Sequence, residues 1–369
     1  MTARRLFQRD PGGGITALFD DRRVFWSFNT RVAIRTACDL LGLKAGDEVL
    51  APGYNCGSEL DPLVHAGLTV RLYPVAEDLR ADPTRIEPLI SERTRAIYVT
   101  HYFGMIQPDL AGLRGLCDRH GLRLIEDCAL SLLSGAAPAE GYTGDVSVFC
   151  FHKFVPVLEG GALLVNASDL AVAKPFSHDA PRGTVAKKLA RAALANFLGP
   201  RRAQNVMRIV RGRQGAAIPV TSPGMLEDIP GHYYFDPALQ GRRISAFAAL
   251  PLRSFPVSEM ITARRENWFL YRDMLDGIPG VRMLMPELLP ETCPLNMPVI
   301  LADRDHIARA LQARGIGVTP WWAGYNCNLD WTGQKEAMAL KNNVLSLPLH
   351  PYLTRAHLEH IITQLRQAL

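Results

Sequence analysis

The sequence predicts an α/β fold: a mostly parallel sheet sandwiched between helices, followed by a smaller C-terminal α/β domain. Three observations carry that expectation. Strand-like apolar runs alternate with amphipathic helices from about Phe25 to Asn166, the pattern of a parallel sheet covered on both faces. With 369 residues, 48% of them hydrophobic, the chain has material for about two domains at roughly 150 residues each. A second, shorter alternation of helices and strands follows Arg243.

The elements come in order. "RVAIRTACDLLGL" sets Val32, Ala33, Ile34, Ala37, Leu40 and Leu41 close to helical spacing, with Gly42 as a stop. "GDEVLAPGY" is a short strand ending in a Pro-Gly turn, and "LTVRLYPV" and "RAIYVTHYF" are two more strands. "DLAGLRGLCDRHG" is a helix closed by Gly121, "LRLIEDC" a strand with acids at its C-terminal end, and "DVSVFCF" and "GALLVN" complete the set. Beyond Arg243, "ISAFAALPLRSFP" and "SEMITARRENWFLYRDML" read as helices, and "NMPVILADRDHIARALQARGIGVTPWW" as strand, helix, turn and strand. "VLSLPLHPYLTRAHLEHIITQLRQAL" is a strand, a proline break and a final helix. The expected division is an extension over 1–14, a large domain over 15–243 and a small domain over 244–369.

A basic helical excursion is expected at 174–240 within the large domain. Its stretch 182–213 carries nine Lys or Arg and no acid. It reads as a solvated excursion over the domain in preference to a membrane-surface or anionic-partner helix. The net charge of +5 is too small for a strongly basic nucleic-acid binder. The seven cysteines show no CxxC pair and no zinc-like spacing, so buried, reduced thiols and no metal are expected. No segment resembles a signal peptide or reaches the ~18 apolar residues of a membrane span, which makes the cytoplasm the expected compartment.

Ligands of open α/β sheets bind at the carboxyl ends of the strands. That rule gathers Tyr54, His101, Asp127 and Lys153 around one crevice. Lys153 interrupts "VFCFHKFVPVLEGGALLVN", where both flanks read as core strand, and a lysine is seldom buried without a purpose. An amine in a partly dry crevice suits a Schiff-base nucleophile. Pyridoxal phosphate (PLP) chemistry also needs an acid beside the pyridine nitrogen and an anion site for the phosphate. Asp127 suits the first. The second falls at the helix start in "FNTRVAIRTA", with Asn29 or Thr30 as cap and Arg31 able to add a charged bond.

Together these motifs resemble the DegT/DnrJ family of fold-type-I, PLP-dependent aminotransferases, from about Phe25 onwards. "LGLKAGDEVLAPGYNC", "AGLTVRLYPVAEDLRADPTRIEPLISERTRAIYVTHYFG", "HGLRLIEDCA", "KFVPVLEGGALLV", "RRISAFAAL" and "VLSLPLHPYLT" are similar to successive family blocks. The resemblance implies that Asp127 meets the pyridine nitrogen and that Lys153, spaced from Glu159, Gly160 and Gly161 as in the family, carries the cofactor. It also implies glutamate or glutamine as donor, a keto-sugar, commonly nucleotide-linked, or a related cyclic ketone as acceptor, and a homodimer with sites at its interface. Retention of Lys153 argues against the branch that dehydrates sugars with a histidine there.

The chain departs from the family pattern at three places. Leu130 stands where Gln or His meets the cofactor's phenolic oxygen, and His101 is the expected substitute. Cys150 replaces the phosphate-binding serine, with two fewer residues before the lysine and Ser147 as an alternative. "GRRIS" replaces an asparagine sent to the neighbouring phosphate, which points to Arg242 or Arg243. Tyr54 is the expected ring-face contact, and Trp321, Trp322 and Tyr325 the expected acceptor wall. Leu130 motivates a second reading, a PLP enzyme doing elimination, dehydration or carbon–carbon chemistry on a non-sugar substrate. A PLP-fold regulatory subunit without catalysis is a third.

Overall fold

Seven strands form the main sheet of the computed structural model, which describes residues 12–20, 22–135, 141, 143–198 and 226–369. They are β1 (Val24–Ser27), β2 (Glu48–Pro52), β3 (Thr69–Tyr73), β4 (Thr94–Thr100), β5 (Arg123–Asp127), β6 (Val146–Cys150) and β7 (Gly161–Val165). Their spatial order is β1-β7-β6-β5-β4-β2-β3. The pairs from β3 through β6 are parallel, whereas β7 pairs antiparallel with both β6 and β1, so β7 alone runs against the other six. The expected α/β class holds.

Side chains alternate across each strand, so the two faces fill separately. Leu50, Ile97, Val99, Leu124, Phe149 and Leu164 enter one core, and Val49, Ala51, Tyr98, Ile125, Val148 and Leu163 the other. The second core is closed by the helix Thr30–Leu40, whose Val32, Ala33, Ile34 and Ala37 are buried. Eleven helices are described: α1 (Gly14–Ala17), α2 (Thr30–Leu40), α3 (Asp61–His65), α4 (Pro83–Ile86), α5 (Leu110–His120), α6 (Arg182–Leu198), α7 (Ala246–Leu252), α8 (Val257–Leu275), α9 (Arg304–Ala313), α10 (Lys335–Asn343) and α11 (Arg355–Arg366). Asn29 caps α2 by accepting from the Val32 N–H at 3.0 Å. Gly121, at φ 63°, ends α5 in the left-handed conformation that glycine adopts without strain.

The smaller C-terminal unit is a four-stranded antiparallel sheet in the order β10-β11-β9-β8, from Arg282–Met283 (β8), Met297–Ile300 (β9), Thr319–Pro320 (β10) and Val344–Leu347 (β11). Its core joins Val299, Leu345 and Leu347 to Trp268 and Tyr271 of α8, Leu311 of α9 and Leu358 and Leu365 of α11. Leu284, Met285, Trp321 and Val344 instead enter a core of the main sheet, so the two units share a continuous apolar contact.

The basic excursion begins with α6, which docks through Val185 and Lys188. The Lys188 amine lies 3.6 Å from Glu159 and 4.9 Å from the centre of the Phe28 ring. Residues 199–225 of that excursion and 1–11 of the expected N-terminal extension lie outside the described residues. No described helix is long and apolar enough to cross a membrane.

Candidate active site

Four strand ends deliver the crevice. The chain leaves β2 through the turn Gly53–Glu59, β4 through His101, β5 at Asp127, and β6 through the short helical turn Phe151–Lys153. Lys153 is half-buried, and its amine lies 5.3 Å from the centre of the Trp321 ring, a cation–π distance.

Asp127 is buried on the α2 side of the sheet, paired in register with Thr100. Tyr98, on the same face of β4, donates its hydroxyl to Oδ2 at 2.7 Å, and the Ala129 N–H donates to Oδ1 at 2.8 Å. Burial pushes the carboxyl above its ordinary range, against those two bonds and the nearby His101 and Lys153 charges. Glu59 is a second buried acid. Its Oε1 accepts from the Cys56 N–H at 2.7 Å, and burial plus the Asp127 charge push it up to about 7.

The α2 start approaches β6 and β7 closely. Thr30 donates its hydroxyl to the Phe149 carbonyl at 3.1 Å, and a Cβ on Gly161 would lie 2.9 Å from the Thr30 nitrogen. Cys150 reaches the same corner, with Sγ 3.2 Å from His152 Nδ1. Burial raises its thiol, but the His152 ring, the Lys153 charge and the Thr30 hydroxyl together hold it below its ordinary value.

Several of the expected residues have hydrogen-bond partners within the chain. His101 is buried and hydrogen-bonded within the chain. Its Nδ1 accepts from the Gln107 N–H at 3.1 Å and its Nε2 lies 3.0 Å from Glu126, on the opposite sheet face from Asp127. Ser147 is three residues from Cys150, so strand alternation turns it to the other face, where it donates to the Gly141 carbonyl and accepts from Asn166 at 3.4 Å. Arg31 Nη1 donates to the carbonyls of His232, Tyr233 and Tyr234, and burial lowers its guanidinium from the ordinary value against the opposing Cys56, Asp61 and Cys150 groups. Arg242 and Arg243 are engaged within their own chain: Arg242 donates to the Ala238 and Asp179 carbonyls, and Arg243 pairs with the Asp179 carboxylate. Leu130 packs in the main core.

The aromatic residues divide. Trp321 lies beside Lys153, and Trp322 packs on Tyr54 and Tyr102 at 5.2 and 5.8 Å. Tyr325 turns away to Trp331 and Lys341. Tyr54 is fully buried, its ring packed against Tyr102 and Trp322.

Sequence reasoning overlooked Tyr98, Cys56, Glu59 and Lys341. Lys341 had a usable signal, since it shares a helical face with the apolar Ala337 and Leu340, the same anomaly that marks Lys153.

His101, Glu126 and Cys128 bring ligand-type atoms within 4.8 Å of one another. The 3.0 Å His101–Glu126 separation is a direct hydrogen bond, and the second Glu126 oxygen takes the Gly144 N–H. His101 and Glu126 are thus hydrogen-bonded groups of the fold. The Lys153 crevice differs: Tyr54 Oη, Trp321 Nε1 and Glu59 Oε2 are buried and meet no hydrogen-bond partner among the described residues. Buried polar atoms of native proteins are normally paired, so this crevice is built for a polar group. An amine, a buried carboxyl and a helix N-terminus are the three attachments PLP requires, and the residues present fit it.

The family model of the DegT/DnrJ/EryC1/StrS aminotransferases matches residues 26–177 and 244–366. The chain belongs to this family. Its likeness to characterised proteins is partial. GDP-perosamine synthase of Vibrio cholerae is 34% identical over 149 residues, which cover 40% of this chain and 40% of that protein. The L-glutamine:2-deoxy-scyllo-inosose aminotransferase of Streptoalloteichus tenebrarius is 36% identical over 149 residues, 38% of this chain and 34% of that protein. The aligned stretch thus spans less than half of either relative. Among solved structures, the Helicobacter pylori aminotransferase PseC has 18% identity and a TM-score of 0.68, over 96% of this chain and 88% of that one. That likeness establishes the fold. The basic α6 lies in the stretch between the two matched blocks of this family member.

Proposed function

We propose that this family member is a PLP-dependent aminotransferase that moves an amino group from glutamate or glutamine to a keto-sugar or related cyclic ketone. One observation carries the reading: the Lys153 amine and the buried, hydrogen-bonded Asp127 carboxyl stand at the ends of adjacent strands, close enough for the Lys153 charge to act on that carboxyl. The activities of the two relatives, a GDP-perosamine synthase and a glutamine:inosose aminotransferase, support the substrate class.

When bound, PLP supplies an aldehyde for amine capture and a ring that withdraws electrons from the substrate carbon. Lys153 Nζ holds the cofactor and, once released, carries the proton from the donor's α-carbon. Asp127 keeps a proton on the ring nitrogen, and Tyr98 and the Ala129 N–H orient it. The N-terminus of α2, with Thr30 and Cys150, takes the phosphate. Trp321 walls the acceptor side. We assign the cofactor unit to 15–243 and the smaller unit to 244–369, and propose a homodimer.

The test is to incubate the PLP-loaded protein with glutamate or glutamine and follow the oxo-acid product. Lys153→Ala should lower its rate by roughly 10²–10⁴-fold, the range for a positioned acid–base group. Borohydride reduction should leave a pyridoxyl adduct on Lys153. Failure of every amino donor to give an oxo acid, with PLP on Lys153, sinks the reading. Ammonia release in its place would mark the elimination chemistry that Leu130 suggests.

A further inference from the structure

Lys341 is a fully buried lysine outside the crevice that the chemistry above leaves unused. It sits on the inner face of α10, and its ammonium donates to three backbone carbonyls: Asn55 at 2.6 Å, Gly324 at 2.8 Å and Trp322 at 3.0 Å. An ammonium has three donors and no acceptor, so the match is complete. The rings of Trp331 and Tyr325 lie over it at 4.7 and 5.0 Å.

Those carbonyls belong to two turns, the one that follows β2 and the one that follows β10, whose Tyr54 and Trp322 rings pack together at 5.2 Å. Asn55 lies between Tyr54 and Cys56. Trp322 and Gly324 follow Trp321, the ring beside the Lys153 amine. Trp322 has φ 54°, the left-handed region, which strains a bulky side chain and persists only where its surroundings hold it. Backbone bonds pin the ends of that turn, Trp321 N–H to Val344 at 3.0 Å and Tyr325 N–H to Glu227 at 2.7 Å. Between those ends, Lys341 binds the carbonyl of the strained residue itself.

We propose that Lys341 is a positioning residue that ties the Tyr54–Cys56 turn to the Trp321–Gly324 turn and so holds Trp321 beside the Lys153 amine. That this wall receives the acceptor rests on the aminotransferase reading; the tie does not. The groups that act on Lys341 are Cys56 and Glu59 from the first turn, the Tyr325 and Trp331 rings, and Arg304 of α9, which donates to the Lys341 carbonyl at 2.8 Å. Burial pulls the ammonium down to about 8, against the Cys56 and Glu59 charges. A neutral amine offers two donors and a lone pair, so one carbonyl is released as pH rises through that value.

The experiment is hydrogen exchange on the full chain, for wild type, Lys341→Met and Lys341→Arg. In Lys341→Met, exchange should rise about tenfold in peptides covering 53–57 and 321–325, with α10 itself still protected, and Lys341→Arg should recover part of that protection. A lysine that merely fills space would loosen α10 as well. Wild type, corrected for intrinsic exchange, should lose protection in the same two peptides as pH rises through about 8. This second arm decides the matter if Lys341→Met fails to fold. Equal protection at 321–325 in wild type and Lys341→Met, or a flat wild-type profile through that window, overturns the proposal. Neither arm needs bound PLP, so failure of Lys153 to capture PLP would count against the aminotransferase reading alone.

Discussion

Glu59 and Asp127 are both buried acids raised by desolvation, and the Asp127 charge makes Glu59 harder still to ionise. The folded state raises Glu59 from 4.5 to about 7, so between those values it holds a proton that the unfolded chain has released. The stability contributed by that proton is full below about 4.5 and is lost as pH rises to about 7. The gap corresponds to about 3 kcal/mol as an upper figure. Glu59→Gln keeps the acceptor for the Cys56 N–H and removes the charge. Its melting temperature at pH 8 should therefore exceed that of wild type, and the fall in stability between about pH 4.5 and 7 should flatten. A lower melting temperature for Glu59→Gln would show that the charge is compensated. From the sequence, Lys153 and Asp127 were legible because each ends an apolar run with a group that such a run does not need. Glu59 was not, since an acid in a polar turn looks like surface until Asp127 is known to face it. The His101–Glu126 pair was hidden for a related reason: sequence order gives the strand end of His101, while its partner is set by sheet register.

At the scale of elements, the chemistry depends on how closely α2 approaches the β6–β7 pair. Gly161 makes that approach possible, since an added Cβ would stand 2.7 Å from the Phe149 carbonyl and 2.9 Å from the Thr30 nitrogen. Gly161→Ala should destabilise the fold by about 1–3 kcal/mol, as overpacking does, and weaken PLP binding by displacing the helix start. Denaturant melts and a cofactor titration check both parts; unchanged melts would mean that the corner yields without strain. The strands and helices of the main sheet were readable because their periods differ, two residues against 3.6. The reversal of β7 was not readable. A buried strand is apolar on both faces whichever way it runs, and only the ten-residue link from β6 hints at a hairpin.

On the scale of the whole molecule, the site is assembled from parts of very different reach. Lys153 and the β6–β7 pair are neighbours in sequence, and Asp127 precedes them by one strand. The Lys341–Asn55 bond, by contrast, closes a separation of 286 residues. Such a contact forms only after the chain between has been ordered, because loop closure must be met before the bond stabilises anything. The consequence concerns timing during synthesis. A ribosome-bound chain will display Lys153 and Asp127 long before it owns a finished pocket. Chains stalled before α10 emerges should show no borohydride-trapped pyridoxyl group on Lys153, and chains stalled after it should. An adduct on the shorter chains would mean that the N-terminal strands alone recruit PLP. The expected result makes cofactor loading a checkpoint: only a chain translated nearly to its last helix can acquire its chemistry.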